Sequence, residues 1–97
     1  MKTLQTLNIT CIDNLVVESQ KLLSELHPVK IVVRAQDAEG NKNNVTLHQE
    51  SRYVFVTPED NEQQRLLYGN WKEALHATKK KIALCHPQTV AIDHYTI

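Results

Sequence analysis

"RYVFVTPED" occupies Arg52 to Asp60, and how it divides decides the fold. Tyr53 and Phe55 alternate with Val54 and Val56, the period of two that sends successive side chains to opposite faces of a strand. Both faces are then apolar, so the strand is either central or leaves one apolar face for a partner. Thr57-Pro58-Glu59-Asp60 follows with the chemistry of a helix start. Threonine is a cap, proline suits the first helical position, and the acids complement the positive end of the helix dipole. The stretch predicts a strand running into a helix.

Upstream, Val45 to Val56 reads as one long strand, with a bulge expected near Gln49-Glu50-Ser51. Ala38 to Asn44 is polar and holds Gly40-Asn41, residues that tolerate positive φ, so it predicts a hairpin tip. Val29 to Ala35 supplies the partner strand, β-branched and largely alternating. Before it, Leu15, Ser19, Leu22 and Leu26 recur on one side of a helix, with Val16 and Leu23 beside them and Asp13 as its cap. His27-Pro28 ends that helix, because the residue before proline is pushed out of the helical region. Leu7, Ile9 and Cys11 alternate with Thr6, Asn8 and Thr10 as a first strand.

Downstream, the helix begun at Pro58 is expected to be long and to break at Gly69. Asn70-Trp71-Lys72-Glu73 resembles a capping box, so Asn70 starts a second segment. Trp71, Leu75, Thr78 and Ile82 line one side of it, and His86-Pro87 closes it. Thr89 to Ile97 is a final strand, expected to pair with the first. The order β-α-β-β-α-β is that of an α+β two-layer, ferredoxin-like sandwich in one domain spanning 1–97.

The whole chain of 97 residues balances eleven basic against eleven acidic side chains, so no global field draws in nucleic acid or an anionic membrane. No long apolar run marks a signal peptide or a span, which makes the cytoplasm the expected location. Asn8-Ile9-Thr10 and Asn44-Val45-Thr46 match glycosylation acceptors by chance. Cys11 and Cys85 are too few for a disulfide scaffold. Cys85-His86 lacks the paired spacing and the four ligands of a structural zinc site. No Gly-rich phosphate loop, nucleophile elbow or HExxH is present, so neither catalysis nor a cofactor is expected. In "ALHATKKKIALCHP" (Ala74 to Pro87), Lys79, Lys80 and Lys81 fan across a helix exterior at about 100° per residue. Lys72, His76, Lys79 and Lys80 share one flank that could meet an acidic partner.

"RYVFVTPED" also resembles the third strand of an RNA-recognition motif, and "CIDNL" (Cys11 to Leu15) resembles the end of that family's first strand. The resemblance implies Tyr53 and Phe55 stacking on bases of single-stranded RNA. Arg52 stands where the family has glycine, Pro58 replaces its last aromatic, and Thr10 replaces a first-strand aromatic. Three readings result. The leading one is a small non-enzymatic protein-interaction module, an inhibitor, antagonist or regulatory adaptor of the kind phages and mobile elements encode. The second is a binder of single-stranded RNA or DNA through Tyr53, Phe55, Arg34 and Arg52. The third is a homodimer pairing sheet to sheet.

Overall fold

The computed structural model describes residues 2–58 and 61–96. They form an α+β unit with one antiparallel sheet of six strands, in the order β1-β6-β2-β3-β4-β5, and two α-helices. The elements are β1 (Lys2–Ile9), α1 (Leu15–Leu26), β2 (Lys30–Gln36), β3 (Lys42–Glu50), β4 (Tyr53–Pro58), β5 (Leu66–Tyr68), α2 (Trp71–Ala83) and β6 (Thr89–Thr96). Short 3₁₀ turns precede α1 (Ile12–Asn14) and β5 (Glu62–Gln64). The last strand does pair with the first, from Lys2 opposite Thr96 to Ile9 opposite Val90. β1 and β2 are both antiparallel to β6, so they run parallel to each other with α1 crossing between them. A four-stranded ferredoxin-like sheet is not what forms, since there are six strands.

Two sequence expectations are corrected here. The long strand from Val45 to Val56 is two strands, β3 and β4, folded back at Ser51-Arg52. Ser51 adopts φ +57°, the left-handed conformation that glycine usually supplies in such a turn. The helix expected from Pro58 does not form among the described residues. Thr57 and Pro58 complete β4, where Pro58 is buried opposite Val45. Glu59 and Asp60, the expected dipole partners, and Ile97, the expected end of the last strand, lie outside the described residues. Asn61 instead caps a single 3₁₀ turn, accepting from the Gln63 N–H at 3.2 Å. Asn61 to Arg65 offers no apolar stripe for a helix to bury, so nothing offsets the cost of helix nucleation. Leu66 to Tyr68 takes the vacant place beside β4.

Gly69 breaks no helix, since the strand β5 precedes it, but the expected start of a helix at Asn70 is found. Asn70 accepts from the Glu73 N–H at 2.9 Å and opens α2. Asp13 does not cap α1; its carboxylate pairs with Lys79 at 3.3 Å, and Asn14 precedes the helix without a side-chain cap. The tip of the first hairpin is drawn in by Asp37, whose Oδ1 accepts the N–H groups of Glu39 and Asn41, each at 2.9 Å. Gly40 at φ +87° completes that turn. His27 and His86 precede prolines with φ +47° and +49°, which stops the chain from continuing as helix at either place.

Both helices lie on one face of the sheet. Ile31, Val33 and Ala35 of β2, Val45 and Leu47 of β3, Val54 and Val56 of β4, and Val90 and Ile92 of β6 are buried beneath Leu15 and Val16 of α1 and Ala74, Leu75 and Ile82 of α2. Trp71 and Leu23 pack at the margin, and Leu22 and Leu26 are half-buried. The indole N–H of Trp71 reaches Gln49 Oε1 at 3.1 Å, fastening the start of α2 to β3.

Replacing the fully buried Leu75 with alanine should lower unfolding stability by roughly 2–5 kcal/mol. Asn70→Ala should cost about 0.5–2 kcal/mol through loss of the cap. Both are read from urea melts, and an exposed-surface value near zero for Leu75→Ala would contradict this packing.

Candidate functional site: the open face of the sheet

Because Val54 and Val56 point at the helices, Tyr53 and Phe55 stand on the face opposite the helices. The strand register builds that face in cross-strand rows. One row runs Leu67, Phe55, His48, Lys30 and Tyr95 across β5, β4, β3, β2 and β6. The next contains Thr57, Thr46, Val32, Asp93 and Thr6, and the one after it Asn44, Arg34, Ala91 and Asn8. Antiparallel neighbours in such a row have Cβ atoms about 4.5–5.5 Å apart, close enough to interact directly.

The aromatic end of this face is already organised. The Arg65 guanidinium lies 3.9 Å from the centroid of the Phe55 ring, a cation–π stack that folds the 3₁₀ turn over β4. Lys30 Nζ sits 5.5 Å from the Tyr95 ring. Phe55, Arg65, Lys30, His48, Glu50 and Glu62 share a depression of about 320 Å³. His48 Nδ1 is 3.5 Å from Glu50 Oε1, an ion pair only when the imidazole is protonated. Tyr53 is 42% exposed and Leu67, opposite Phe55, is 53% exposed, so the apolar surface of this face continues to the β5 edge.

Farther across the face, Arg34 donates from Nε to Asp93 Oδ2 at 2.7 Å and from Nη2 to Oδ1 at 3.2 Å. The Thr6 hydroxyl donates to the same Oδ1 at 2.6 Å, so one carboxylate ties β1, β6 and β2. Burial pushes the Asp93 carboxyl upward, but the hydrogen bonds from Arg34 and Thr6 and the charge of Arg34 outweigh it and hold the acid below its ordinary value. Arg34 is raised in turn, chiefly by its hydrogen bond to Asp93.

The residues singled out in the sequence divide between two surfaces. Tyr53, Phe55 and Arg34 are on the open face, and Arg52 is exposed in the turn that leads into β4. Lys72, His76 and Lys80 are exposed on α2, in the other layer, while Lys79 is drawn to Asp13 at 3.3 Å. Sequence reasoning missed Arg65, Asp93, Lys30, Tyr95 and Leu67. For Asp93 and Tyr95 a local signal existed, the alternation of Ala91, Asp93 and Tyr95 with Ile92 and His94. For Arg65 none did, because its contact with Phe55 depends on β5 pairing with β4. Among the described residues no three His, Cys, Asp or Glu side chains gather as a metal site, and no helix is long and apolar enough to cross a membrane. Cys11 and Cys85 are free thiols. No known protein family, curated protein or solved structure matches this chain.

On the helix side of β6, His94 is fully buried, and neither ring nitrogen has a hydrogen-bond partner. Burial pushes the imidazole below its ordinary value; the nearby backbone of Gln5 and Ile92 and the Asp93 charge oppose that shift and lose. The folded protein therefore holds His94 neutral where the unfolded chain, titrating near about 6.5, takes up a proton. Stability should be fully present above that pH and decline as pH falls through it. Urea melts from pH 8 to 5 should show that decline, and His94→Leu should flatten it. An unchanged slope in the variant would assign the effect to another group.

Proposed function

We propose that the protein is a non-enzymatic interaction module, an inhibitor, antagonist or regulatory adaptor, that grips a protein partner with the aromatic end of its open sheet face. The observation that carries this reading is the sidedness of β4. Val54 and Val56 fill the core, and Tyr53 and Phe55 are left on the face that neither described helix covers, with only Arg65 stacked against Phe55. Exposed Leu67 beside Phe55 extends that apolar surface, and aromatic residues flanked by arginine are the side chains that most often anchor protein interfaces.

The same surface weighs against single-stranded nucleic acid, the second reading. One face of Phe55 is occupied by Arg65, which a stacking base would have to displace. Glu50 and Glu62 line the same depression, where a phosphate backbone would meet negative charge. The cations of the face are interleaved with acids, whereas nucleic-acid binders usually carry a concentrated basic footprint.

The double variant Tyr53→Ala, Phe55→Ala should keep the fold, because neither side chain belongs to the buried core. It should lose a stoichiometric protein partner that the wild type captures. Lys72→Ala with Lys80→Ala, on the other layer, should retain that partner. Salt-sensitive binding of single-stranded RNA by the wild type, abolished in the double variant, would replace the protein reading with the nucleic-acid one. Capture unaffected by the double variant would move the contact away from β4.

A further inference from the structure

The open face carries a second depression, away from the aromatic end and chemically unlike it. It has a volume of about 240 Å³ and is lined by Asn8, Arg34, Gln36, Lys42, Asn44 and Thr89, with Ala91 among them. The register explains the hollow. Ala91 lies between Arg34 and Asn8 in one row, and Thr89, Gln36 and Lys42 form the next row along the strands. A methyl group flanked on both sides by longer polar side chains leaves a dip in the sheet surface that its neighbours wall.

We propose that this hollow binds a compact oxyanion, a phosphate or a short carboxylate. Among the described residues its lining supplies two cations, three amides and a hydroxyl, and no carboxylate. The depression beside Phe55, in contrast, mixes Glu50 and Glu62 with its cations and so neutralises itself. Arg34 and Lys42 are diagonal neighbours on adjacent strands, since Arg34 pairs with Asn44 and Lys42 stands two residues before it. That diagonal spans about 7–8 Å between strand positions, which lets two long cationic side chains converge on one anion.

Arg34 is also held in place. Asp93 takes two of its N–H groups, and Thr6 fixes Asp93. The guanidinium has five N–H donors, so it keeps others for a second acceptor. Arg34 is balanced by Asp93, and among the described residues no acid pairs with Lys42. The volume suits a ligand of a few heavy atoms, below the range of drug-sized pockets. Because every lining residue belongs to a strand, with only Gln36, Lys42 and Thr89 at strand ends, the site needs no loop closure to form.

The test is an amide-resolved NMR titration of the full chain with inorganic phosphate at constant ionic strength, and in a parallel arm with succinate. Saturable shifts should centre on Asn8, Arg34, Asn44 and Ala91 and leave Tyr53 and Phe55 unmoved. Saturation by phosphate alone would assign the phosphate class, and saturation by succinate alone the carboxylate class. Lys42→Gln should weaken binding roughly tenfold, the loss expected for one charge-assisted hydrogen bond. Ala91→Leu should abolish it by filling the hollow. Arg34→Ala is a poorer probe, since it also strips Asp93 of its partner. If Ala91→Leu fails to fold, Lys42→Gln decides, because that side chain is exposed at the base of the hairpin. Shifts that rise linearly with both anions, or that persist unchanged in Lys42→Gln, would overturn the proposal. Neither result bears on the partner surface at β4.

Discussion

Two helices must cover a six-stranded sheet, and they are long enough for only one of its faces. α1 has 12 residues and α2 has 13, which at ~1.5 Å per residue makes each about 18–20 Å long. Side by side at a separation of about 8–10 Å they shield a width near that of six strands spaced ~4.8 Å apart. Everything else follows from that limit. Among the described residues the layer between helices and sheet is mainly aliphatic, and Ser19 of α1 and His94 of β6 are buried there without a hydrogen-bond partner. The outer face must live with water or a partner, and its composition is a mixture of threonines, amides, ion pairs and a few aromatics.

That outer face is graded from one edge to the other. Toward β5 it is apolar and aromatic, with charges that cancel locally. Toward the opposite end of β2 and β3 it is polar and donor-rich. Asp93 sits between the two regions and spends its charge inside the sheet, on Arg34 and Thr6. The carboxylate thus cross-links strands rather than offering itself to a ligand. The arrangement assigns rigidity to the middle of the face and recognition to its ends.

How much of this was legible in the sequence depended on the range of each cause. Local causes were readable: Asn70 caps α2 through its own side chain, Gly40 turns the first hairpin, and the His-Pro pairs stop the chain where expected. The β3–β4 turn was hidden because Ser51, and not a glycine, takes the left-handed conformation there. Thr57-Pro58 misled because threonine and proline start helices and end strands with equal ease. The decisive fact came later in the chain, where Asn61 to Arg65 has no apolar stripe to bury. The open face was legible strand by strand, through the alternation around Tyr53 and Phe55. Its pairings were not. Arg34 meets Asp93 across 59 residues of sequence, and no local pattern encodes the register that brings them together.

The placement of β6 has a temporal consequence. β2 to β5 are consecutive antiparallel neighbours joined by short connections, and contacts so near in sequence close cheaply and early. β1 touches the sheet only through β6, and the Thr6–Asp93 hydrogen bond closes a span of 87 residues. β1, made before the other described strands, is therefore the one that waits longest for its seat. Until β6 arrives, β2 presents an unpaired edge and the first helix has half a floor. The completion of the sheet is then a single late event, the insertion of one strand between two that are already waiting for it.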